Sequence, residues 1–157
     1  MQTQYLTPID DDYQTCERTK AVFRVHCADR SPRFITDLLE ISPTRVVEAG
    51  VPAPRGEGKI GPIGKVNLWI LDSEGSVESC DLRRHLDWIL QQLEPASGRI
   101  CDLRRDHIVM DISCVWWSKY GDGGPTLWPS QMSRIARLDL ELSFSFAFYG
   151  GDPSLRG

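Results

Sequence analysis

Aromatic side chains surround a glycine-rich stretch near the C-terminal end of the chain. Trp116, Trp117 and Tyr120 precede the run at residues 121–125, and Trp128 follows it. Exposed aromatic rings beside a flexible loop could stack on a nucleobase, a sugar or a partner's side chain. The competing interpretation is packing, because large aromatic side chains usually lie in a core or at its border. We expect packing for most of the set, with Trp116 inside, and partial exposure for Trp117, Tyr120 and Trp128.

A repeated tetrapeptide offers four arginines. Asp-Leu-Arg-Arg occurs at residues 81–84 and again at 102–105. Their guanidinium groups could converge on a phosphate or on acidic side chains of a partner. The alternative, which we favour, is a solvated helix face on which Arg83 pairs with Asp87 one turn later. Taken with the aromatic residues, the candidate binding surface comprises Trp69, Arg83, Arg84, Trp117, Tyr120 and Trp128.

The sequence gives little evidence for a metal site or a catalytic site. Cys80 with His85 and Cys101 with His107 are ligand-type pairs, but structural zinc sites usually have closer spacing with turn residues between the ligands. The chain contains no Gly-x-Ser-x-Gly elbow, no Walker-type loop and no His-Glu-x-x-His motif. His107, at the edge of a predicted strand, and Asp111 within it would lie on one strand face, where four residues span about 13 Å, too far for a hydrogen bond. We predict neither metal nor cofactor, and we favour a non-enzymatic protein while leaving that question open.

Composition narrows the class of protein. The 157 residues include 18 Lys and Arg against 22 Asp and Glu, a formal net charge of −4 with a pI near 5.3. This balance argues against a general nucleic-acid binder, which needs a surplus of basic side chains. We find neither a secretory signal nor an apolar run long enough to cross a bilayer, and therefore expect a cytoplasmic protein without membrane partners. Of the five cysteines, Cys27 and Cys114 lie in apolar strand-like segments and are expected to be buried free thiols.

Hydrophobic periodicity predicts the elements that position these residues. Alternating apolar residues predict strands at 20–27, 66–71, 108–117 and 140–149, and helical spacing predicts helices at 31–41, 82–93, 97–105 and from Ser130 onward. In the last helix we expect Met132, Ile135 and Ala136 to be buried. In the last strand we expect an inward row of Leu140, Leu142, Phe144, Phe146 and Phe148. Glycine and proline are so frequent between residues 50 and 64 that no regular element should persist there.

The alternating strands favour one sheet architecture. A strand with one solvated face is typical of antiparallel sheets, since parallel strands are usually apolar on both faces. The predicted fold is α+β: a two-layer sandwich of a mainly antiparallel sheet with helices packed on one face, ferredoxin-like in outline. We place a single domain at residues 20–150, after a flexible N-terminal segment at 1–19 and before a C-terminal tail at 151–157.

Three segments carry a family resemblance. They are the Ser-Pro helix start at 31–32 leading into Leu-Leu-Glu-Ile-Ser-Pro-Thr at 38–44, Asp-Leu-Arg-Arg-His-Leu-Asp-Trp-Ile-Leu at 81–90 with Leu-Glu-Pro at 93–95, and Gly-Gly-Pro-Thr-Leu at 123–127. In order and spacing they resemble the bacterial family catalogued as domain of unknown function 4279, over about residues 21–149. The resemblance implies no assigned activity and transfers no catalytic residue. Trp128 departs from the pattern, where we expect a small polar residue, and marks a candidate specialised surface.

Two functional hypotheses follow. The preferred one is a small non-enzymatic module that binds another protein, such as a toxin-immunity protein, because the chain is acidic, lacks catalytic motifs and offers exposed aromatics beside a loop. The alternative is a small-molecule sensor or an enzyme with a site between the sheet and the loops, lined by Arg55, His26, Trp69 or Trp117. A homodimer is a further option, since Val109, Val115, Trp117 and Tyr149 make the second sheet face more apolar than solvation requires.

Overall fold

A five-stranded sheet and four α-helices make up most of residues 6–150, the part of the chain that the computed structural model describes. The elements in chain order are β1 (Cys16–His26), α1 (Pro32–Leu39), β2 (Arg45–Val47), β3 (Pro52–Arg55), β4 (Lys59–Ile63), β5 (Leu68–Asp72), α2 (Leu82–Leu93), a 3₁₀ turn (Glu94–Ala96), α3 (Ser97–Arg105), β6 (Val109–Ser118), α4 (Pro129–Leu138) and β7 (Glu141–Ala147). None of the helices in this range has the length and apolarity to span a bilayer. The tail predicted at 151–157 lies outside the described residues.

The sheet has the order β2-β5-β1-β6-β7 and is mainly antiparallel. The central strand β1 pairs antiparallel with both neighbours, so that Phe23 lies between Leu71 of β5 and Ile112 of β6. The last strand is different, because β7 runs parallel to β6 and is reached through α4. The α+β class predicted from the alternating strands is therefore confirmed, with one parallel pair at the edge of the sheet.

The core lies between the helices and one face of this sheet. The residues of β1 predicted to point inward, Ala21, Phe23 and Val25, are buried, and so are the even-numbered residues 110–116 of β6. Against them α2 packs the apolar stripe predicted from its helical spacing: Leu82, Leu86, Ile89, Leu90 and Leu93. Each such side chain stabilises the fold by about 1.5–3 kcal/mol through burial.

Burial also raises the pKa of the Cys114 thiol to about 12, which keeps it protonated and inert.

The opposite face of the sheet is covered by charged side chains. The Lys20 amine lies 2.8 Å from an Asp72 carboxylate oxygen, and Arg24 donates from Nε to Asp111 over 3.0 Å. Long charged side chains of this kind cover apolar sheet positions with their alkyl stems while their charged ends stay in water. This face needs no second layer of helices.

Three short strands contradict the sequence-based assignments. The glycine- and proline-rich stretch was predicted to lack regular structure, yet it forms the antiparallel hairpin of β3 and β4, and β2 was not predicted at all. A two-stranded hairpin has only edge strands, in which proline is tolerated because an outward position needs no N–H donor. At Gly61 a Cβ would lie 2.5 Å from the Ala53 carbonyl oxygen, so glycine allows the strands to approach.

The helix ends are partly as predicted. Ser31 caps α1 by accepting a hydrogen bond from the Phe34 N–H over 3.2 Å, with Pro32 at the first helical position. The prediction for α4 was right for Ile135, which is buried, but wrong for Met132 and Ala136, which are exposed. The helix begins at Pro129 and also buries Gln131 and Leu138.

Candidate functional site

The edge strand β7 carries apolar side chains that no helix fully covers. In the parallel register Leu142 lies beside Ile112, Phe144 beside Cys114 and Phe146 beside Trp116, so all face the helical side of the sheet. Leu142 is half-buried, whereas Phe144 is 40%, Phe146 60% and Phe148 50% exposed. The predicted direction of this row was right, but its predicted burial was wrong beyond Leu142. The helical layer ends before the strand does.

Phe144, Phe146 and Phe148 together form what we call the β7 aromatic surface. The rings of Phe144 and Phe146 stack with centroids 6.0 Å apart, and Phe146 meets the buried Trp116 edge to face at 6.1 Å. Edge-to-face and offset arrangements are the stable geometries of aromatic pairs. The surface is thus continuous with the core through Trp116, although its outer rings are open to solvent. Exposed apolar clusters of this kind commonly mark interaction sites.

The glycine-rich loop borders the end of this surface. Gly121 has a backbone φ of +88°, and a Cβ there would come within 3.1 Å of the Phe148 ring, so only glycine fits. Ser118 holds the loop by accepting from the Gly121 N–H and donating to the Asp122 carbonyl, both over 2.8 Å. A cavity of about 260 Å³ opens here, with Trp116, Gly121, Phe146 and Phe148 in its lining.

Unpaired polar groups accompany the exposed rings. The edge of β7 that faces away from β6 has no neighbouring strand within residues 6–150. Glu141 at the start of β7 and Asp122 at its far end form no ion pair with any other described residue. The Trp116 indole Nε1 is buried without a hydrogen-bond partner, the single such side-chain atom in this part of the chain. The surface combines apolar rings, free strand backbone and negative charge.

Trp69, one of the predicted binding residues, lies in the core. It is fully buried, packs edge to face on Phe23 with centroids 5.9 Å apart, and donates from Nε1 to Thr36 Oγ1 over 2.9 Å. Because the strand has apolar side chains on both of its faces, its sequence pattern does not show which face packs against the helices. Trp69 is therefore removed from the candidate binding surface.

Arg83 is also buried, and its predicted pairing was wrong. Instead of meeting Asp87 on a solvated face, it forms an ion pair with Asp81, which also caps α2. Its Nη1 and Nη2 atoms donate to the carbonyls of Thr7 and Pro8 over 2.6 and 2.8 Å. Burial alone would raise the pKa of Asp81, but the bonds from Arg83 and from the Asp10 N–H outweigh it and hold that pKa below its usual value.

This buried pair anchors the N-terminal segment. Trp128 is half-buried, donates from Nε1 to the Thr7 carbonyl over 2.8 Å and stacks on the Arg83 guanidinium at 5.0 Å. Tyr13 donates through its hydroxyl to the Gly124 carbonyl over 2.9 Å. Residues 7–15 are thus held against α2 and the glycine-rich loop, and β1 already begins at Cys16, within the segment that the sequence assigned to a flexible N-terminus.

The remaining predicted residues lie apart from one another. Trp117 and Trp128 are half-buried and Tyr120 is exposed, as predicted. Trp117 is on the charged sheet face, under the Arg18 guanidinium at 4.0 Å, and Arg84 is an exposed partner of Asp11. The arginines of the second tetrapeptide pair elsewhere, with Asp139 and Asp102. The six predicted residues therefore do not form one surface. Tyr120 directly precedes Gly121 beside Phe148, whereas Trp117 pairs with Ala147 but lies on the opposite face of the sheet.

A buried serine–histidine pair was not found by sequence analysis, which considered His85 as a partner of Cys80 in a metal site. Ser73 Oγ lies 2.7 Å from His85 Nδ1 and accepts the Ala21 N–H over 3.0 Å. His85 Nε2 lies 2.9 Å from the Ser79 carbonyl, which can only accept, so Nε2 carries the proton and Nδ1 accepts from Ser73. Burial is the main influence and lowers the pKa of His85. Because Ser73 is completely buried, no substrate carbonyl can reach it, and the pair is structural.

The cysteine–histidine pairs considered as metal ligands are not gathered into a site. No group of three or more His, Cys, Asp or Glu side chains among residues 6–150 is arranged to hold a metal ion. All five cysteines are free, with Cys27 and Cys114 buried as predicted.

Comparison with protein-family models identifies the family of the chain. The model of a family described as "Domain of unknown function (DUF4279)" matches residues 17–149, most of the chain. The chain belongs to the DUF4279 family. Comparison of this DUF4279 domain with curated proteins and with solved structures finds no match.

The three segments that carry the resemblance occupy two sites in this DUF4279 domain. The segments 38–44 and 81–95 meet at a cavity of about 670 Å³ beside α2, where Glu40, Thr44, Trp88 and Gln92 are among the lining residues. The segment 123–127 lies in the glycine-rich loop beside Tyr13, whose hydroxyl also bonds the Thr126 hydroxyl over 2.9 Å. The β7 aromatic surface lies outside all three segments.

Proposed function

We propose that this DUF4279 domain is a non-enzymatic protein-binding module whose partner docks on the β7 aromatic surface. The observation that carries the proposal is the exposure of three neighbouring phenylalanines, two on the unpaired edge strand and Phe148 just after its end. An edge strand with free backbone groups is a template for an added strand, and proteins normally protect such edges with charge, proline or short length. The middle of β7 has none of these protections, since residues 142–147 are Leu-Ser-Phe-Ser-Phe-Ala.

The partner we propose is a protein that supplies an extended segment. Such a segment adds to β7 through main-chain hydrogen bonds and places alternate side chains on Phe144 and Phe146. One apolar side chain fills the cavity between Phe146 and Phe148. Basic residues at either end of the segment complement the unpaired Glu141 and Asp122.

A second copy of the chain fits this surface less well. Antiparallel self-pairing of β7 about Phe144 would set Glu141 opposite the partner's Ala147. Because Ala147 and Asp122 line the same small cavity, the two acidic groups would approach each other. Like charges across an interface disfavour association, so we propose a different, basic protein as the partner.

The finer proposal is a protein of the toxin-immunity type, in which an acidic domain covers a basic surface of its target. It is supported by the net charge of −4 and by the unpaired acids at both ends of β7. We place this role in the cytoplasm, because free thiols persist in a reducing compartment.

Photo-crosslinking tests the proposal directly. A crosslinkable phenylalanine analogue at position 146, introduced in cells that natively make the protein, should join β7 to one partner segment identifiable by mass spectrometry. A synthetic peptide of that segment should bind with 1:1 stoichiometry and protect the outward amides of β7 from hydrogen exchange. Its affinity should fall with rising salt, as expected for a basic segment.

Matched variants distinguish specific binding at the β7 aromatic surface from non-specific hydrophobic binding. Replacing Phe144 and Phe146 together by serine should weaken peptide binding at least about tenfold, or about 1.4 kcal/mol. Met132→Ser is the control, because Met132 is a similarly exposed apolar residue on α4, and it should leave the affinity unchanged. Binding that survives the double replacement would refute the proposal. Crosslinks only between copies, with a dimeric mass in light scattering, would replace it by a homodimer.

A further inference from the structure

A cavity of about 670 Å³ lies beside α2, away from β7. It opens between the C-terminal end of α1, the turn after β5 and the exposed side of α2. The buried side chains of Leu39 and Leu71 contribute an apolar floor, and the half-buried indole of Trp88 contributes a wall. Its size falls within the range of about 300–1,000 Å³ that is usual for small-ligand sites.

Several polar side chains around this cavity have no hydrogen-bond partner among residues 6–150. The hydroxyls of Ser42 and Ser76 and the amides of Gln91 and Gln92 line it, and none forms a hydrogen bond with another described residue. Thr44 differs, because its hydroxyl already accepts from the Asp72 N–H over 2.9 Å. The free groups come from three directions: the loop after α1, the turn after β5 and the helix α2. A ligand here would meet donors and acceptors on several sides at once.

The charges at the cavity offset each other. Glu40 and Arg99 are the charged residues in its lining, and they form an ion pair with one another. An anionic ligand would have to compete with Glu40 for the guanidinium, and a cation would have to compete with Arg99. The lining therefore favours an uncharged ligand.

We propose that this cavity binds an uncharged polyhydroxylated ligand of the saccharide class. A sugar ring carries hydroxyl groups around its whole perimeter, which suits amides and hydroxyls that approach from three sides, and its C–H faces pack on an indole and an apolar floor. A planar nucleobase fits less well, because its polar groups lie along its edges and one side chain can satisfy a whole edge. The cavity shares no residue with the β7 aromatic surface, so the two proposals stand independently.

Nuclear magnetic resonance titration of the full chain tests this proposal. Maltose and N-acetylglucosamine are the probes, with glucose 6-phosphate and adenosine as charged and planar comparisons. At least one neutral sugar should shift the Trp88 indole resonance and the amides of Gln91 and Gln92, with saturation at millimolar concentration. Neither glucose 6-phosphate nor adenosine should bind more tightly than the neutral sugar.

Replacing Gln91 and Gln92 together by alanine should weaken the binding at least about fivefold. Both side chains are at least partly exposed, so the variant should keep the wild-type melting temperature. Gln14→Ala, at an exposed glutamine outside the cavity, is the matched control and should bind as the wild type does. Absence of shifts up to about 50 mM sugar, shifts confined to other residues, tighter binding of either comparison compound, or unchanged binding by the double variant would each overturn the proposal.

Discussion

Arg83 follows Asp81 by only two residues, and the two side chains form a completely buried ion pair at the start of α2. The carboxylate of Asp81 caps the helix and also accepts the Asp10 N–H over 2.9 Å, while the guanidinium of Arg83 holds two carbonyls of the N-terminal segment. Every polar atom of the two side chains thus has a partner. Through these bonds, the Asp81–Arg83 pair connects the start of α2 to the N-terminal segment and to the loop beside Trp128.

Asp81→Asn should be strongly destabilising. The replacement leaves a buried guanidinium without its counter-charge, which typically costs about 3–5 kcal/mol. Urea denaturation should show the loss of unfolding free energy, and limited proteolysis should show earlier cleavage before Cys16. Asp11→Asn, at the exposed pair with Arg84, is the control and should unfold within experimental error of the wild type. Equal midpoints for both variants would contradict this account.

The stability of the fold should decrease as the pH falls below about 6.5. His85 has a lowered pKa in the folded state, so between that pKa and the usual value the unfolded chain binds more protons than the folded one. The full contribution is present above about pH 6.5 and is lost as the pH falls toward the folded pKa, by at most about 1.4 kcal/mol per pH unit. Urea denaturation between about pH 7 and pH 5 measures it.

Histidine variants show which residue causes this pH dependence. His85→Gln should have a smaller loss of unfolding free energy on acidification than the wild type. His26→Gln, at an exposed histidine on β1, should retain the wild-type loss. If the two variants have the same pH profile, His85 is not the responsible group.

Two glycine-to-alanine replacements should act in opposite directions. Gly98 is in α3 with open space around it, so Gly98→Ala should raise the free energy of unfolding by about 0.5–1 kcal/mol. Gly123 has a φ of +77°, and a Cβ there would lie 2.6 Å from the Thr15 Cβ. Gly123→Ala should therefore lower the melting temperature, and a neutral result would show that the loop can move away from Thr15.

Replacing Phe146 should barely affect folding. Its ring is mostly exposed, so Phe146→Ser should change the free energy of unfolding by less than about 1 kcal/mol. Phe23→Ala, at a fully buried phenylalanine, should cost about 3–5 kcal/mol. If Phe146→Ser lost as much unfolding free energy as Phe23→Ala in urea denaturation, the Phe146 ring would contribute to the stability of the fold and would not be free to bind a partner.

Elements with a strong hydrophobic period could be predicted closely. Strand β1, helix α2 and strand β6 have buried residues where the period places them, because local spacing alone decides which side chains share a face. The hairpin of β3 and β4 could not be predicted in this way. Its composition favours turns, and only pairing between the two strands satisfies its backbone groups.

The candidate site was predicted least well. Exposure of Tyr120, Trp117 and Trp128 was expected, but Trp69 and Arg83 proved to be buried. The phenylalanines of β7 were assigned to the core, because an apolar row on a strand looks the same whether or not a helix lies over it. Their significance depends on where the helical layer ends.

The sequence by itself determined the family, the α+β class, the inward rows of β1 and β6 and the helices α1 to α3, since these follow from composition, local spacing and motif order. The tertiary structure decided that Arg83 and His85 are buried, that β7 lies at an open edge and that Phe144, Phe146 and Phe148 remain exposed. These properties depend on contacts between residues far apart in the chain, such as Arg83 with Thr7 and Trp116 with Phe146. Local periodicity describes the faces of an element, but only packing determines what covers them.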